Sequence, residues 1–544
     1  MKAGRSRGAA APEVRSRGEP APDLRVRAAN DRPVAPGGAY VLYWMIAARR
    51  PAFSHALDRA VALARELRKP LLVLEPLRAG YPWASDRLHR FVMDGMAANA
   101  RAFARAGASY LPYLEPEPGA GKGLLEALAA RAAAVVTDDW PAFFLPRMVA
   151  AAAARLPVRL EAVDGNGLLP MRAAPRLFLN AQGLRRFLQG HLAPHLRALP
   201  SPAPLEEDFP RRLALPDDVL RRWPPASGAD LAPGGPLLAR LPIDHAVPPA
   251  PLQGGCEAGA AALASFVEDG LARYGGDRSR PDEEMGSGLS PYLHFGHVGA
   301  HQAFLAVAAR EGWAETRLSW EVTGQRLGWW GLSEGAESFL DELVTWRELG
   351  FNMCHLRPDH LAYGSLPEWA RATLAAHASD PRPHRYGLAE LEAAATHDPL
   401  WNAAQRELLG AGRIHSYLRM LWGKKILEWS PSPEEALRVM LHLNDRYALD
   451  GRDPNSATGI FWVLGRYDRP WAPERPIYGS IRYMSSERTL KKLGGLAGYL
   501  RRWGAPGRSA PEQLELHGAP AGEAGGPGAA GRRASGVARR RRGR

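Results

Sequence analysis

The chain has 544 residues, 46% of them apolar, with 70 Lys and Arg against 57 Asp and Glu and a formal net charge of +13. That length allows two or more domains with sizeable cores. No run approaches the roughly 18 apolar residues of a membrane-spanning helix, and the start lacks the apolar segment of a secretory signal. The charge says little about the folded body: residues 1–38 carry +4, residues 503–544 carry +5 and all the rest only +4. A local basic face therefore matters more than the bulk value. Cys256 and Cys354, far apart in the chain, point to a reducing, intracellular compartment and no disulfide framework.

Residues 1–23 are rich in Ala, Pro, Gly and Arg and read as a disordered basic tail. From Tyr40 short apolar runs alternate with helical stretches. YVLYWM, PLLVLEPL, ASYLPYLE, AAVVTDD and VRLEAVD read as buried strands. HALDRAVALARELR, RLHRFVMDGMAANARAFARA, GLLEALAARA and FFLPRMVAAAAARL read as the helices between them. This predicts an α/β fold over 24–194, a doubly wound parallel sheet that takes ligands at the carboxyl ends of its strands. No G-x-G-x-x-G follows the first strand. GAGKG at 119–123 mimics a phosphate loop, but Pro116 replaces its first Gly and Gly123 its Ser or Thr, so it reads as a turn before a helix. Residues 195–255 are Pro-rich and read as an interdomain linker. From 256 to 502 the pattern is helical, predicting a second, all-helical domain. Within it the Trp-rich segment 313–338, with Trp313, Trp320, Trp329 and Trp330, reads as a surface insertion or a partner patch. Residues 503–544 end in RRASGVARRRRGR and read as a basic tail, serving phosphate attraction or targeting, or simply a solvated extension.

The stretch from His397 to Trp462 organises the helical part. Trp422 and Trp429 are seven apart and share one helix face. Gly410-Ala411-Gly412 breaks the preceding helix and turns Trp401 back beside them. Three indoles in a row could relay an electron; spacing alone favours reading them as core residues. SGLSPYLH offers hydroxyls and backbone N–H groups ahead of a helix, which suits either a phosphate or a plain N-cap. GRYDRPWAPERPIYGSIRYM, residues 465–484, interleaves Arg466, Arg469, Arg475 and Arg482 with Trp471 and Tyr483, which suits a loop that enters DNA more than a merely stabilised surface loop. His294, His297 and His301 lack an accompanying acidic pattern, so they read as helix-surface residues or as supports behind a site, and no metal is expected.

Several motifs occur in one order: VLYWM (41–45), SGLSPYLHFG (287–296), FLDELVTWRE (339–348), HDPLWNA (397–403), LNDRYALDGRDPN (443–455) and IRYM (481–484). Together they resemble the class II cyclobutane pyrimidine dimer photolyases, over roughly residues 24 to 500. The resemblance implies a Rossmann-like N-terminal antenna domain and a helical FAD-binding domain. It implies FAD that is active as FADH⁻, and a second, antenna chromophore of the 8-hydroxy-5-deazaflavin type. The partner it implies is DNA containing cyclobutane pyrimidine dimers, with a monomer acting and the light-excited flavin giving an electron to a flipped-out dimer. By the same resemblance Ser287, Gly288, Leu289 and Ser290 form the flavin diphosphate loop, and Tyr274 packs on the cofactor. Arg419 and Asp450 pair beside the isoalloxazine ring, Asn444 faces flavin N5, and Ser416 stands where other photolyases often have Asn. Glu342 hydrogen-bonds the dimer, Trp346 and Trp462 clamp it, Met420 touches the lesion side, and Arg469 and Arg482 fill the gap left in the duplex. Trp422 is nearest the flavin, Trp401 is the middle member and Trp429 the surface terminus. Segment 313–338 departs from the family in length and composition. The competing reading is a cryptochrome-like light sensor, which has no need of Glu342, Trp346, Trp462 or the Arg-rich loop.

Overall fold

A computed structural model describes residues 23–504, apart from 212, 214, 278, 279, 284 and 285. The expected tails at 1–23 and 503–544 lie outside the described residues except at their inner ends. There Trp503 is no tail residue: it closes the last helix, Ala497–Trp503, and is buried against Gly410.

Six strands form one sheet: β1 (Val26–Ala28), β2 (Tyr40–Trp44), β3 (Leu71–Leu77), β4 (Ser109–Leu114), β5 (Ala132–Asp138) and β6 (Leu160–Val163). Their order is β1-β6-β5-β2-β3-β4, all parallel except β1, which pairs antiparallel with β6. All five parallel strands follow the sequence reading; β1, three residues on an edge, carries too little pattern to be read. Strand residues alternate between two cores. Leu42 and Trp44 face one, Val41 and Tyr43 the other, which is why β2 is apolar throughout. Helices α1 (His55–Glu66), α2 (Asp86–Arg105), α3 (Leu124–Ala129) and α4 (Leu145–Arg155) fill the connections. Ser54 and Ser85 cap α1 and α2 by accepting the Leu57 and Leu88 N–H groups.

The Pro-rich stretch after residue 195 is not a free tether. Leu205 and Phe209 enter one sheet core and Trp223 the other, and Asp244 bridges to Ser85. Beyond it the chain is helical. The functional elements are α5 (Ala181–His191), α6 (Glu334–Leu340), a wide π-type turn (Asp341–Trp346), α7 (Arg347–Leu356), α8 (Pro399–Ala411), α9 (Ser416–Trp429), α10 (Pro433–Tyr447) and α11 (Pro454–Val463). Asp398, Ser432 and Asp453 cap α8, α10 and α11, and Gly412, at φ +69°, ends α8 at the expected break.

Two expectations are corrected. His297 and His301 are buried, not on a helix surface; His297 accepts the Gly255 N–H, and burial pushes its pKa down to about 3. The Trp-rich insertion is mostly core: Trp313, Trp329 and Trp330 are buried against one another, with the Trp313 indole donating to the Trp330 carbonyl, and only Trp320 stands out, 97% exposed. No helix of the described residues is long and apolar enough to cross a membrane, and among them no cluster suits a metal ion.

Among the side chains that tie α2 to the helical part, Arg87 makes the most hydrogen bonds. Arg87 is buried and donates to the carbonyls of Leu408 and Leu409 at the end of α8, of Tyr447 at the end of α10, and of Pro248. A guanidinium thus satisfies carbonyls that two helix ends leave over.

Glu348, on α7, is buried and accepts the Leu169 N–H at 3.2 Å. Desolvation raises its pKa to about 8. The folded chain therefore keeps a proton that the unfolded chain gives up near 4.5, and stability falls as pH rises from there through about 8. Glu348→Gln is expected to flatten that fall, by a few kcal/mol at most, in urea titrations at about pH 5 and about pH 8.5. An unchanged difference between the two pH values would show that the carboxyl is not protonated in the fold.

Candidate active site and chromophore cavity

α8 and α9 bring the three tryptophans together. The Trp401 and Trp422 rings lie 6.5 Å apart and parallel to within 2°, and Trp401 meets Trp429 at 5.4 Å, edge to face. The Trp401 indole donates to the Trp422 carbonyl and the Trp422 indole to Gln405 Oε1. All three rings are buried. That corrects the placing of Trp429 at the surface: it is 1% exposed, covered by Tyr386 and His397 at 5.2 and 5.5 Å. The Tyr386 hydroxyl bonds His397 Nδ1 at 2.7 Å, and the exposed His384 ring stacks on His397 at 3.8 Å. The covering residues come from two loops, on either side of the short helix Leu388–Glu392 and with no helical period, so spacing gave no sign of them.

Arg419 stands one turn before Trp422 on α9. Its Nη2 donates to both Asp450 oxygens at 3.0 and 3.1 Å, with both side chains close to buried. Such a pair repays its desolvation only when both charges are well matched. Asn444, on α10, is buried. Its amide donates to Ser456 Oγ and to Asp445 Oδ1, each at 2.9 Å, so its orientation is fixed. Met420 lies against Gly459 of α11, and Ser416 is exposed at the start of α9.

The 287–290 segment leads into the short helix Ser290–His294. Gly288 has φ +66° and open space where a Cβ would stand; Ser287 is half-buried and Ser290 exposed. Leu289 anchors the loop in the core, the same core in which Tyr274 packs edge-on to Phe266 and Phe339.

Glu342 and Trp346 lie on the π-type turn. Its wide i→i+5 bonding lets residues four apart share a face, and they are the two half-buried positions of that segment, the rest being buried. Trp346 and Trp462 both pack against the same core cluster. Arg482, exposed, has its guanidinium carbon 5.5 Å from the centre of the Trp462 ring and 4.8 Å from that of Trp471, while Arg469 lies 4.5 Å from Trp471. Trp471 is in turn held by Asp468 through its indole N–H. Asp468 organises this loop without having been singled out from the sequence.

A separate cavity of about 620 Å³ opens at the carboxyl ends of the strands, as the sheet predicts. Trp44, Tyr113, Trp140 and Phe143 supply aromatic walls, and Arg49, Arg78 and Lys122 positive charge. Helical-part residues His294, Phe295 and Arg452 close one side. The GAGKG turn does cap a helix, Gly123 standing at φ +88° before α3, but Gly119, Gly121, Lys122 and Gly123 also line this cavity. Glu115 holds the turn by accepting the Gly119 and Gly121 N–H groups at 3.0 and 3.3 Å.

No protein-family model matches the chain. Among curated proteins it is 33% identical to a deoxyribodipyrimidine photo-lyase of Methanothermobacter thermautotrophicus, over 86% of this chain and 94% of that one. It is 34% identical to one of Oryza sativa, over 83% and 84%. Among solved structures the fold is similar to a bacterial class III photolyase from Agrobacterium tumefaciens, with a TM-score of 0.60, 17% identity and 86% of each chain covered. It is also similar to an archaeal photolyase from Sulfolobus tokodaii solved with two FAD molecules, with a TM-score of 0.59, 13% identity, and 85% of this chain and 90% of that one covered. Two relatives above 30% identity along nearly their whole length decide the matter: this chain belongs to the deoxyribodipyrimidine photo-lyase family.

Proposed function

We propose that the protein is a class II photolyase that uses light and bound FAD to split cyclobutane pyrimidine dimers in DNA, acting as a monomer inside the cell. The observation that carries this reading is the composition of α9. One helix bears Arg419 of the buried ion pair, Met420 on the lesion side, and Trp422 and Trp429 of the indole row, so redox and substrate groups share one rigid support.

The residues present fit FAD. Open backbone at Gly288 beside the Ser287 and Ser290 hydroxyls suits its diphosphate. A matched charge pair and an oriented carboxamide suit a ring whose charge changes. When bound, FAD supplies the chemistry: absorption of blue light, with one-electron donation to the dimer and its recovery. The chain does the rest. Arg419 and Asp450 keep a fixed pair of charges near the ring, and Ser456 and Asp445 hold the Asn444 carboxamide in one orientation. Glu342 hydrogen-bonds the dimer, and Trp346 and Trp462 stack on it once it has left the duplex. Arg469 and Arg482 take the space and phosphates the lesion leaves. Trp422, Trp401 and Trp429 conduct an electron inward and take no part in bond cleavage. The cavity of about 620 Å³, walled by the antenna domain (24–194) and by His294, Phe295 and Arg452, is the site we assign to a tricyclic chromophore of the 8-hydroxy-5-deazaflavin type, which its aromatic walls suit.

The test is repair itself. Reduced protein is mixed with an oligonucleotide carrying one thymine dimer, and base absorbance is followed under blue light and in darkness. Recovery in light alone is expected. No recovery with FAD bound and reduced would sink the repair reading and leave the light-sensor alternative.

A further inference from the structure

The neighbourhood of Trp462 holds one cation the repair reading does not use. Lys424, on α9 two residues beyond Trp422, is fully buried. Its Nζ donates to the Val463 carbonyl at 2.5 Å and lies 4.9 Å from the centre of the Trp462 ring. Gly423 makes this approach possible, since a Cβ there would come within 2.5 Å of a Val463 methyl. Lysines ordinarily carry their ammonium out to water; this one ends inside, on the same indole that the exposed Arg482 covers. Two cations therefore share one ring, and each lowers what the other gains from it.

The charged and titratable groups around Lys424 come from α9 itself and from the loop after α11. Asp468, in the loop after α11, favours its charged form, and Arg482 opposes it. On its own helix Glu428 is taken up by Lys425 and by the Tyr478 hydroxyl. Tyr478 also donates to the Lys424 carbonyl. Burial outweighs all of these and pushes the ammonium down to about 7. Below that pH Lys424 is charged; above it, neutral.

Resting on the reading of Trp462 as a lesion clamp, we propose that Lys424 is a positioning residue that governs access to it. Its ammonium loosens the hold of Arg482 on the shared indole, so the flipped pyrimidine dimer stacks there more readily when Lys424 carries its proton. Without that proton Arg482 stays on Trp462 and competes with the dimer. Discrimination between damaged and undamaged DNA should then decline as pH rises through neutrality.

The experiment measures, for the FAD-loaded full chain in darkness, the affinities for two oligonucleotides of one sequence, with and without a single thymine dimer, from about pH 6 to about pH 8.5. Their ratio removes the general effect of charge on phosphate binding. For the wild-type protein the ratio is expected to fall about five- to tenfold over this range. Lys424→Met should give a low, flat ratio. Lys424→Arg, whose charge persists, should give a high, flat one. A wild-type ratio that ignores pH, or a Lys424→Met or Lys424→Arg protein that keeps the wild-type profile, overturns the inference. Trp462→Ala separates the two claims. If it leaves the ratio intact, the clamp reading falls and the inference with it. If it abolishes discrimination while Lys424→Met behaves as wild type, the inference falls alone.

Discussion

Trp422→Phe is expected to abolish the light-driven reduction of oxidised, bound flavin while leaving repair intact once the flavin is reduced chemically. Trp422 is stacked parallel to Trp401 at 6.5 Å, and Trp401 alone links it to Trp429. Phenylalanine keeps most of the packing but is far harder to oxidise, so the row is cut at its inner end. The structural cost is moderate: Gln405 Oε1 loses its donor inside the core and the smaller ring leaves some space, together about 1–3 kcal/mol. The measurement is the flavin absorbance under blue light with an external reductant, beside repair of a thymine dimer by dithionite-reduced protein. Photoreduction at the wild-type rate would remove the indoles from the electron path. Loss of repair with fully reduced flavin would show that Trp422 serves the lesion reaction as well.

Arg87→Met is expected to cost about 3–5 kcal/mol of stability, among the largest effects of any single change. The substitution takes this donor from the carbonyls of Leu409, Tyr447 and Pro248 and leaves Leu408 with the Gly412 N–H alone, and acceptors without partners are expensive where water is kept out. Burial lowers the guanidinium pKa only to about 10, so it remains charged at neutral pH and its pull on two helix ends persists. Arg87→Lys should recover only part of the loss, because one ammonium cannot serve four carbonyls on two sides. Urea unfolding of both variants gives the comparison. A loss below about 1 kcal/mol for Arg87→Met would mean that water replaces the guanidinium without penalty.

The parallel strands were legible because each is apolar on both faces and is followed by a helix of ordinary period; β1 was not, being three residues on an edge. The indole row was legible because seven residues make two turns and Gly412 ends α8 where the pattern stops. Its burial was hidden, since Tyr386 and His397 reach Trp429 from two separate loops. His297 and His301 look polar in sequence, yet the contacts that bury them come from distant segments, at Gly255 and His55. Lys424 was hidden for a similar reason: lysine spacing predicts a wet side chain, and only the closeness of Val463 to Gly423 draws it inside. The place of GAGKG as the turn before α3 was legible, whereas the cavity that Gly119, Gly121 and Gly123 also line was not, since a failed phosphate-loop pattern carries no sign of it.

The cavity at the strand ends has walls from both parts of the chain: Trp44 and Trp140 from the sheet-bearing part, His294 and Arg452 from the helical part. A pigment seated there would have its transition dipole set by folding itself, at one angle to anything the helices hold. Resonance transfer depends on that angle as well as on separation. Sensitised fluorescence would then serve as a gauge of alignment, fading when the two walls slip past each other even if each retained its own pigment.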